Sequence, residues 1–593
     1  MKGKASGKSD MGMIWFSIRA VVSTVPAAAI YVAAYLILYS VSGSVTGLLL
    51  EGITNAVVLK ETAYFYYIVL YVAFFAVLQM AGFGYAIAMN TFVFEKVSDE
   101  MNRRLAKAMV HLAYFDFEKK EKLDNIYRAR ECVDDERISD CFMQSIRLFG
   151  TLVAIASALL IVQKWNIWLP VILLAFYLPE MIIRKKSIKA EKAEKESNVT
   201  LERERDDLWK TFFCKEAAKE IRTFHIGERL TSIWREKNLA VFAKEWAIRK
   251  TTLNNLFWAQ LVKAGGLILC FVLLAVQCLN RELLVGALAG AISLLPALQG
   301  YFSEWGERRS SLKRNAFYVR CYYDVVNNDR AAGATALNIA GKIEVKNAVF
   351  GYDGGMAVLN GITFEILKGE KVAVVGENGT GKSTLIKCLL GLYPLEKGEI
   401  WYDATRLNPE TPYDYRNISV MLHEFGKYSL TVAENIGFEK ADAVDLSALQ
   451  MENVFLGKEY GGTELSGGQW QRIALARCLH KKAELYILDE PTAYLDPIYE
   501  RNVMSDLILK ELKEKTVLII THRLGICRLV DKIIVLDGSH RVVGVGSHEE
   551  LMSSCAVYQK LYESQAKWYT EEANAPRVGA GAGKPEGGTA CRR

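Results

Sequence analysis

A chain of 593 residues is too long for one core, and a length prior gives about three to five domains. The net charge is only +6 and no basic block gathers it, which argues against a nucleic-acid partner. Apolar residues reach 51% and concentrate before residue 303, which excludes a purely soluble protein.

A short polar stretch comes first, so no enzyme domain is expected ahead of the apolar region. Six apolar stretches follow, at about 18–41, 63–86, 146–162, 167–183, 255–279 and 283–302. Each approaches the roughly 20 residues that cross a bilayer as a helix. The first is too long for a secretory signal and lacks a cleavage-type end. Segments 94–147 and 184–250 are long and rich in Lys and Arg, whereas the turns around Lys60, Lys164 and Arg281 are short. The positive-inside rule places both long segments, and with six spans both termini, in the cytoplasm. These segments carry helical periodicity and dense mixed charge, so the spanning helices are expected to continue past the bilayer.

Within the spans, Tyr31, Tyr35 and Tyr39 share one helical face, which suits packing or interfacial anchoring. Residues 64–67 read as an aromatic belt. Lys263 lies inside the fifth span, where a charge is expensive, and Glu180 is its candidate partner by depth. The eleven cysteines show no metal spacing and read as reduced thiols. The domain reading is a six-helix membrane domain over 1–327, a linker over 328–341, an α/β domain over 342–570 and a disordered tail over 571–593.

The α/β domain carries the chemistry. Residues 376–384 read Gly-Glu-Asn-Gly-Thr-Gly-Lys-Ser-Thr between an apolar strand and an apolar helix, which is a P-loop. Gly376, Gly379 and Gly381 let backbone amides curl around an anion, with Glu377, Asn378, Thr380 and Thr384 completing the cradle. Lys382 supplies a point charge for the β- and γ-phosphates, and Ser383 a hydroxyl for Mg²⁺. Residues 465–469 read Leu-Ser-Gly-Gly-Gln, and 485–490 form an apolar strand ending in Asp489 and Glu490. Asp489 is placed to hold Mg²⁺ through water, and Glu490 to act as general base.

This order of motifs resembles ABC transporters, over about residues 11–570. The resemblance implies ATP and Mg²⁺ as cofactors, and Tyr352 as the aromatic that stacks on adenine. It implies that Ser466, Gly467, Gly468 and Gln469 contact a nucleotide bound by a partner cassette. Leu495-Asp496 matches the D-loop, and His522 the switch histidine at the γ-phosphate. His423 stands where the family has a glutamine that ligates Mg²⁺, and nitrogen suits that ion less well than oxygen. Two readings stay open there: a tolerated swap with slower turnover, or a weakened site beside a different partner.

Spans followed by one cassette resemble the exporter-type half-transporter, which works as a homodimer or heterodimer in the lipid bilayer of the cell membrane. Asp116 with residues 123–130, and residues 218–224, resemble the two coupling helices. The wording of 462–477, notably Trp470, and of 426–431 resembles bacterial peptide and lantibiotic exporters. The N-terminal cysteine-peptidase domain of some peptide exporters has no counterpart in the sequence. The resemblance implies ATP-driven export of a peptide or other amphipathic solute. A lipid or drug exporter, a metal-chelate importer, or an ATP-gated membrane protein that does not pump are the alternatives.

Overall fold

A computed structural model of the chain describes residues 9–327, 335–352, 355–408, 411–438, 444–446, 451–492 and 504–574. Two compact units emerge: residues 1–109 with 124–327, and residues 110–123 with 328–593.

The first unit is helical. Helix α1 (Asp10–Thr24) stops at Val25, and α2 (Pro26–Val58) begins with proline in its first turn. Proline suits that position because its missing N–H would have no intrahelical partner there. The first apolar helix is therefore Pro26–Val58, displaced from the predicted 18–41. Helix α3 (Ala63–Ile87) passes through a π-helical stretch (Ala88–Lys96) into α4 (Val97–His111). Helices α5 (Lys120–Asp134), α6 (Arg137–Trp165), α7 (Trp168–Phe212), α8 (Lys215–Thr223), α9 (Gly227–Leu279) and α10 (Val285–Val326) follow.

Among the described residues, 5 helices are long and apolar enough to cross a membrane: Pro26–Val58, Ala63–His111, Arg137–Trp165, Gly227–Leu279 and Val285–Val326. The fourth predicted span, 167–183, opens α7. Its apolar run gives way at Glu180 and then at Arg184, Lys185 and Lys186. Small residues bring backbones close: a Cβ on Gly290 of α10 would lie 2.9 Å from the Gly47 carbonyl oxygen of α2. Leu169, Leu173, Leu274, Leu294 and Leu298 fill the core between α7, α9 and α10.

One charged cluster is buried among these helices. Glu180 is fully buried. Its carboxylate meets Arg184 Nε at 2.7 Å and Lys263 Nζ at 3.2 Å. Ser303 Oγ accepts from Lys263 at 2.9 Å and donates to Glu180 at 3.4 Å. The predicted partnership of Lys263 with Glu180 is thus present, with α10 contributing a third side.

The second unit is α/β. Its strands are β1 (Thr335–Ala336), β2 (Lys342–Gly351), β3 (Ala357–Leu367), β4 (Lys371–Gly376), β5 (Lys397–Tyr402) and β6 (Thr405–Arg406). Then come β7 (Tyr413–Asp414), β8 (Ile418–Met421), β9 (Leu485–Asp489), β10 (Thr516–Ile520), β11 (Lys532–Leu536) and β12 (Val542–Gly546). Six strands form one sheet in the order β12-β11-β4-β10-β9-β8, parallel except for β12. The antiparallel sheet β3-β2-β5-β6 covers one face over a core that includes Phe350, Val372, Val374, Ile487 and Ile520. β4 and β9 are buried along nearly their whole length, as expected of strands covered on both faces. Helices α11 (Lys382–Leu389), α12 (Val432–Gly437), α13 (Gly467–His480), α14 (His548–Ser554) and α15 (Ala556–Asn574) complete the described residues.

Residues 110–123 belong to this unit. Tyr114–Phe117 makes a single 3-10 turn, and Phe115 packs on the core. The Tyr393 hydroxyl donates to the Glu118 carboxylate, and Lys387 lies 5.7 Å from the Tyr114 ring centre.

Candidate nucleotide-binding and hydrolysis site

The parallel sheet positions the site. β10 lies between β4 and β9, with Ile520 opposite both Val374 and Asp489. The P-loop after β4, His522 after β10 and Glu490 after β9 therefore leave one carboxyl edge on three adjacent strands. Ligands of open α/β sheets bind at that edge. On the outer strand, Met421 of β8 pairs with Leu488 of β9, so His423 arrives there too.

The P-loop needs its glycines. Gly379 and Gly381 have φ of 85° and 94°. A Cβ on Gly381 would sit 2.4 Å from the Val358 carbonyl oxygen. Helix α11 starts at Lys382 with no side-chain cap, which leaves its first amides open to an anion. Lys382 is nearly buried and donates to the carbonyls of Gly376 and Glu377 at 2.9 and 2.8 Å. Burial pushes its ammonium below the usual range, against the pull of Glu490 and Asp489. Thr384 bonds Tyr352 through the two hydroxyls at 3.0 Å. Tyr352 stands edge-on to Phe350 and remains 40% exposed.

Asp489 is buried, and burial raises its carboxyl above the ordinary value, opposed by a hydrogen bond from Ser383. Among the described residues its Oδ1 is buried with no hydrogen-bond partner. A buried orphan acceptor costs free energy until a donor or cation meets it. Beside the Ser383 hydroxyl it makes an all-oxygen pair, the donor type that Mg²⁺ prefers.

Glu490 adopts a left-handed backbone with φ of 50°. Its N–H donates to Ile520 at 2.9 Å, and the Gln471 side chain donates to its carbonyl at 3.1 Å. These bonds hold a conformation that non-glycine residues rarely adopt. Its carboxylate lies between two imidazoles: His522 Nδ1 is 3.1 Å from Oε1, and His423 Nε2 is 3.6 Å from Oε2. The sequence treats His423 as a stand-in metal ligand, and its ring nitrogen faces the general-base candidate.

Ser466 caps α13. Its Oγ accepts from Gln469 N–H at 3.3 Å, and Gln469 Oε1 accepts from Ser466 N–H at 2.9 Å. The signature is thus a capping box, Ser-x-x-Gln, that fixes Gly467 and Gly468 at an exact helix start. Among the described residues no hydrogen bond joins 466–469 to the P-loop. Leu495-Asp496 lies outside the described residues.

Sequence reasoning missed three supports: Gln471 on Glu490, Arg477 bonding the Asn435 carbonyl at 2.8 Å, and Gln565 on the strand end that carries His522. Only Gln565 left a visible signal, as a polar residue on an apolar helical stripe.

These features define a P-loop ATPase joined to a helical membrane domain. Residues 359–493 match the ABC transporter family. The chain is 29% identical over 503 residues to the subtilin transport ATP-binding protein SpaT of Bacillus subtilis, covering 79% of this chain and 80% of that one. It is 29% identical over 509 residues to the nisin transport ATP-binding protein NisT of Lactococcus lactis, covering 79% and 82%. A bacterial Atm1-family ABC exporter with ATP bound superposes with a TM-score of 0.69 at 18% identity, over 91% of this chain and 99% of that one. Residues 359–493 thus form an ABC transporter domain that hydrolyses ATP, joined to a helical membrane-type domain in the exporter fold.

Proposed function

We propose that the chain exports a peptide, of the kind its subtilin and nisin transport relatives are named for, from a bacterial cytoplasm. The observation that carries this reading is similarity to those relatives along most of the chain, membrane helices included. The working unit is a dimer of half-transporters. α13 offers a pre-formed helix start that, among the described residues, has no hydrogen bond to its own P-loop, which suits a nucleotide held by a second cassette.

In this reading ATP lies along the P-loop, with adenine on Tyr352 and phosphates on the amides of 376–384 and on Lys382. Residues 466–469 close over the γ-phosphate from the partner. Ser383 and Asp489 would hold Mg²⁺, which when bound neutralises phosphate charge. Glu490 orients and deprotonates the attacking water, and His522 holds the Glu490 carboxylate in place. His423 flanks the other carboxylate oxygen. The ATPase domain and both termini face the cytoplasm, by the basic segments that flank the spans. The proposed domain division is 1–327, 328–341, 342–570 and a tail to 593, although residues 110–123 group with the second unit. Residues 328–334 and 575–593 fall outside the described residues.

The test is ATP-dependent uptake of labelled lantibiotic-type peptide into inside-out vesicles, beside Glu490→Gln. Uptake lost in that variant supports the proposal. Lipid or metal-chelate movement without peptide uptake overturns the substrate, and steady ATPase without any transport overturns the pump.

A further inference from the structure

The C-terminal helix reaches the hydrolysis site. In α15, Tyr558, Leu561, Tyr562 and Gln565 fall at helical spacing i, i+3, i+4 and i+7, one face of the helix. The first three bury against Leu524, Cys527 and Leu551. Tyr558 is wholly buried and bonds His548 Nδ1 at 2.8 Å, which fixes the first turns of α15. Gln565 continues this apolar stripe as its one polar member.

Its amide reads the loop after β10 from both sides. Oε1 accepts from Leu524 N–H at 3.0 Å, and Nε2 donates to the His522 carbonyl. The two peptide groups that flank Arg523 are thus held by one side chain. Leu524 is buried, so its N–H would otherwise lack solvent. Further local ties come from Thr521, whose Oγ1 accepts from Arg523 N–H at 2.9 Å and whose N–H reaches the Val374 carbonyl at 3.3 Å. His522 sits between these ties, with Nδ1 3.1 Å from Glu490. A cavity of about 250 Å³ lies alongside, with Gly376, Glu377, Asn378, His522, Leu561 and Gln565 on its walls. The helix that carries Gln565 therefore borders both the P-loop and the histidine.

We propose that Gln565 is a positioning residue for ATP hydrolysis: its amide fixes the peptides on either side of Arg523 and so sets His522 against Glu490. The proposal rests on His522 acting in hydrolysis. Loss of the clasp leaves the P-loop whole, so it slows turnover without loosening ATP.

The test uses the full chain in lipid. Gln565→Leu suits the apolar stripe and deletes both hydrogen bonds. Its kcat for Mg²⁺-ATP is expected to fall about tenfold with KM within about twofold, as a sub-ångström misplacement would cause. His522→Ala is expected to be slow, and adding Gln565→Leu to it is expected to change nothing further, because the two act through one group. Gln565→Glu, which keeps the acceptor but sets a carboxylate against the His522 carbonyl, is expected to be at least as slow as Gln565→Leu. It serves in its place if the leucine variant does not fold. Amide exchange of residues 521–525 in nucleotide-free wild type is expected to be slow, and faster in either variant.

Wild-type kcat in Gln565→Leu overturns the proposal. So does an equal slowing in the His522→Ala background, or unprotected exchange at 521–525 in the wild type. Full turnover in His522→Ala alone removes the role of His522 assigned above, and this proposal with it, whereas slow His522→Ala beside fast Gln565→Leu removes this proposal only.

Discussion

Glu180 in the membrane helices and Asp489 in the cassette are both buried carboxylates, yet their surroundings are opposite. Glu180 meets Arg184, Lys263 and Ser303 within 3.4 Å, and among the described residues it has no orphan oxygen. Among the same residues Asp489 keeps Oδ1 buried and unbonded, and its carboxyl is raised by burial. A satisfied buried charge is a clamp between helices, complete within its own chain. An unsatisfied one at the edge of a parallel sheet has an acceptor open to a cation, which is the role proposed for it above. The charge in the membrane, which depth alone marks as functional, is thus the structural one of the two.

The comparison breaks first at Glu180. Removing it by Glu180→Ala strands Lys263 beside Ser303 and is expected to destabilise the protein by about 3–5 kcal/mol. Glu180→Leu with Lys263→Met removes the acid and the cation with no other carboxylate among its ion pairs in the described residues, while Arg184 keeps Glu307, and is expected to recover most of that loss, read as thermal unfolding in lipid. A double variant no better than the single one would show that Glu180 has a partner beyond this clamp.

The opposite outcome belongs to Asp489. Asp489→Asn keeps the shape and removes a costly buried charge, so thermal stability is expected to hold or rise slightly. Mg²⁺-dependent turnover is expected to fall at least about 100-fold. Glu490→Gln is expected to cost about 100-fold in kcat or more while ATP binding survives. A stability loss in Asp489→Asn comparable to that of Glu180→Ala would put Asp489 in the same class as Glu180.

Much of this site is legible in the sequence because its parts are local. A P-loop is a turn and a helix start, written by adjacent glycines and Lys382. β9 is an apolar run that ends in two acids. What the sequence hides is side-chain traffic between distant segments. The orphan state of Asp489 depends on every neighbour that fails to reach it. Gln565 reaches His522 across 43 residues, and Tyr393 meets Glu118 across 275. In the membrane half the apolar runs are plain, but the first long apolar helix begins at Pro26 rather than where the hydropathy rises. The fourth run is less plain, because Glu180, Arg184, Lys185 and Lys186 follow closely on its apolar stretch.

A smaller effect tests the self-capped signature helix. Ser466→Ala deletes one half of the capping box and is expected to cost about 1 kcal/mol in cassette stability. Because α13 is built before any nucleotide arrives, the isolated stability loss and the loss of turnover are separable. Ser466→Asp restores the cap but sets a negative charge toward a phosphate. It is expected to recover stability and not activity; recovery of both would mean that the helix start does not face an anion.

The smallest effect is expected at His423, where family expectation and geometry diverge. If the imidazole served the metal as the glutamine of relatives does, His423→Gln would change the Mg²⁺ concentration needed for half-maximal turnover. The ring instead lies 3.6 Å from Glu490 Oε2 and is 48% exposed. A contact that long and that solvated is worth at most about 1 kcal/mol, or roughly fivefold in rate. His423→Gln is therefore expected to move kcat by less than about fivefold, with the Mg²⁺ requirement unchanged. A shift of tenfold or more in that requirement would make the histidine a metal ligand, and Asp489 would no longer hold the cation with Ser383 alone.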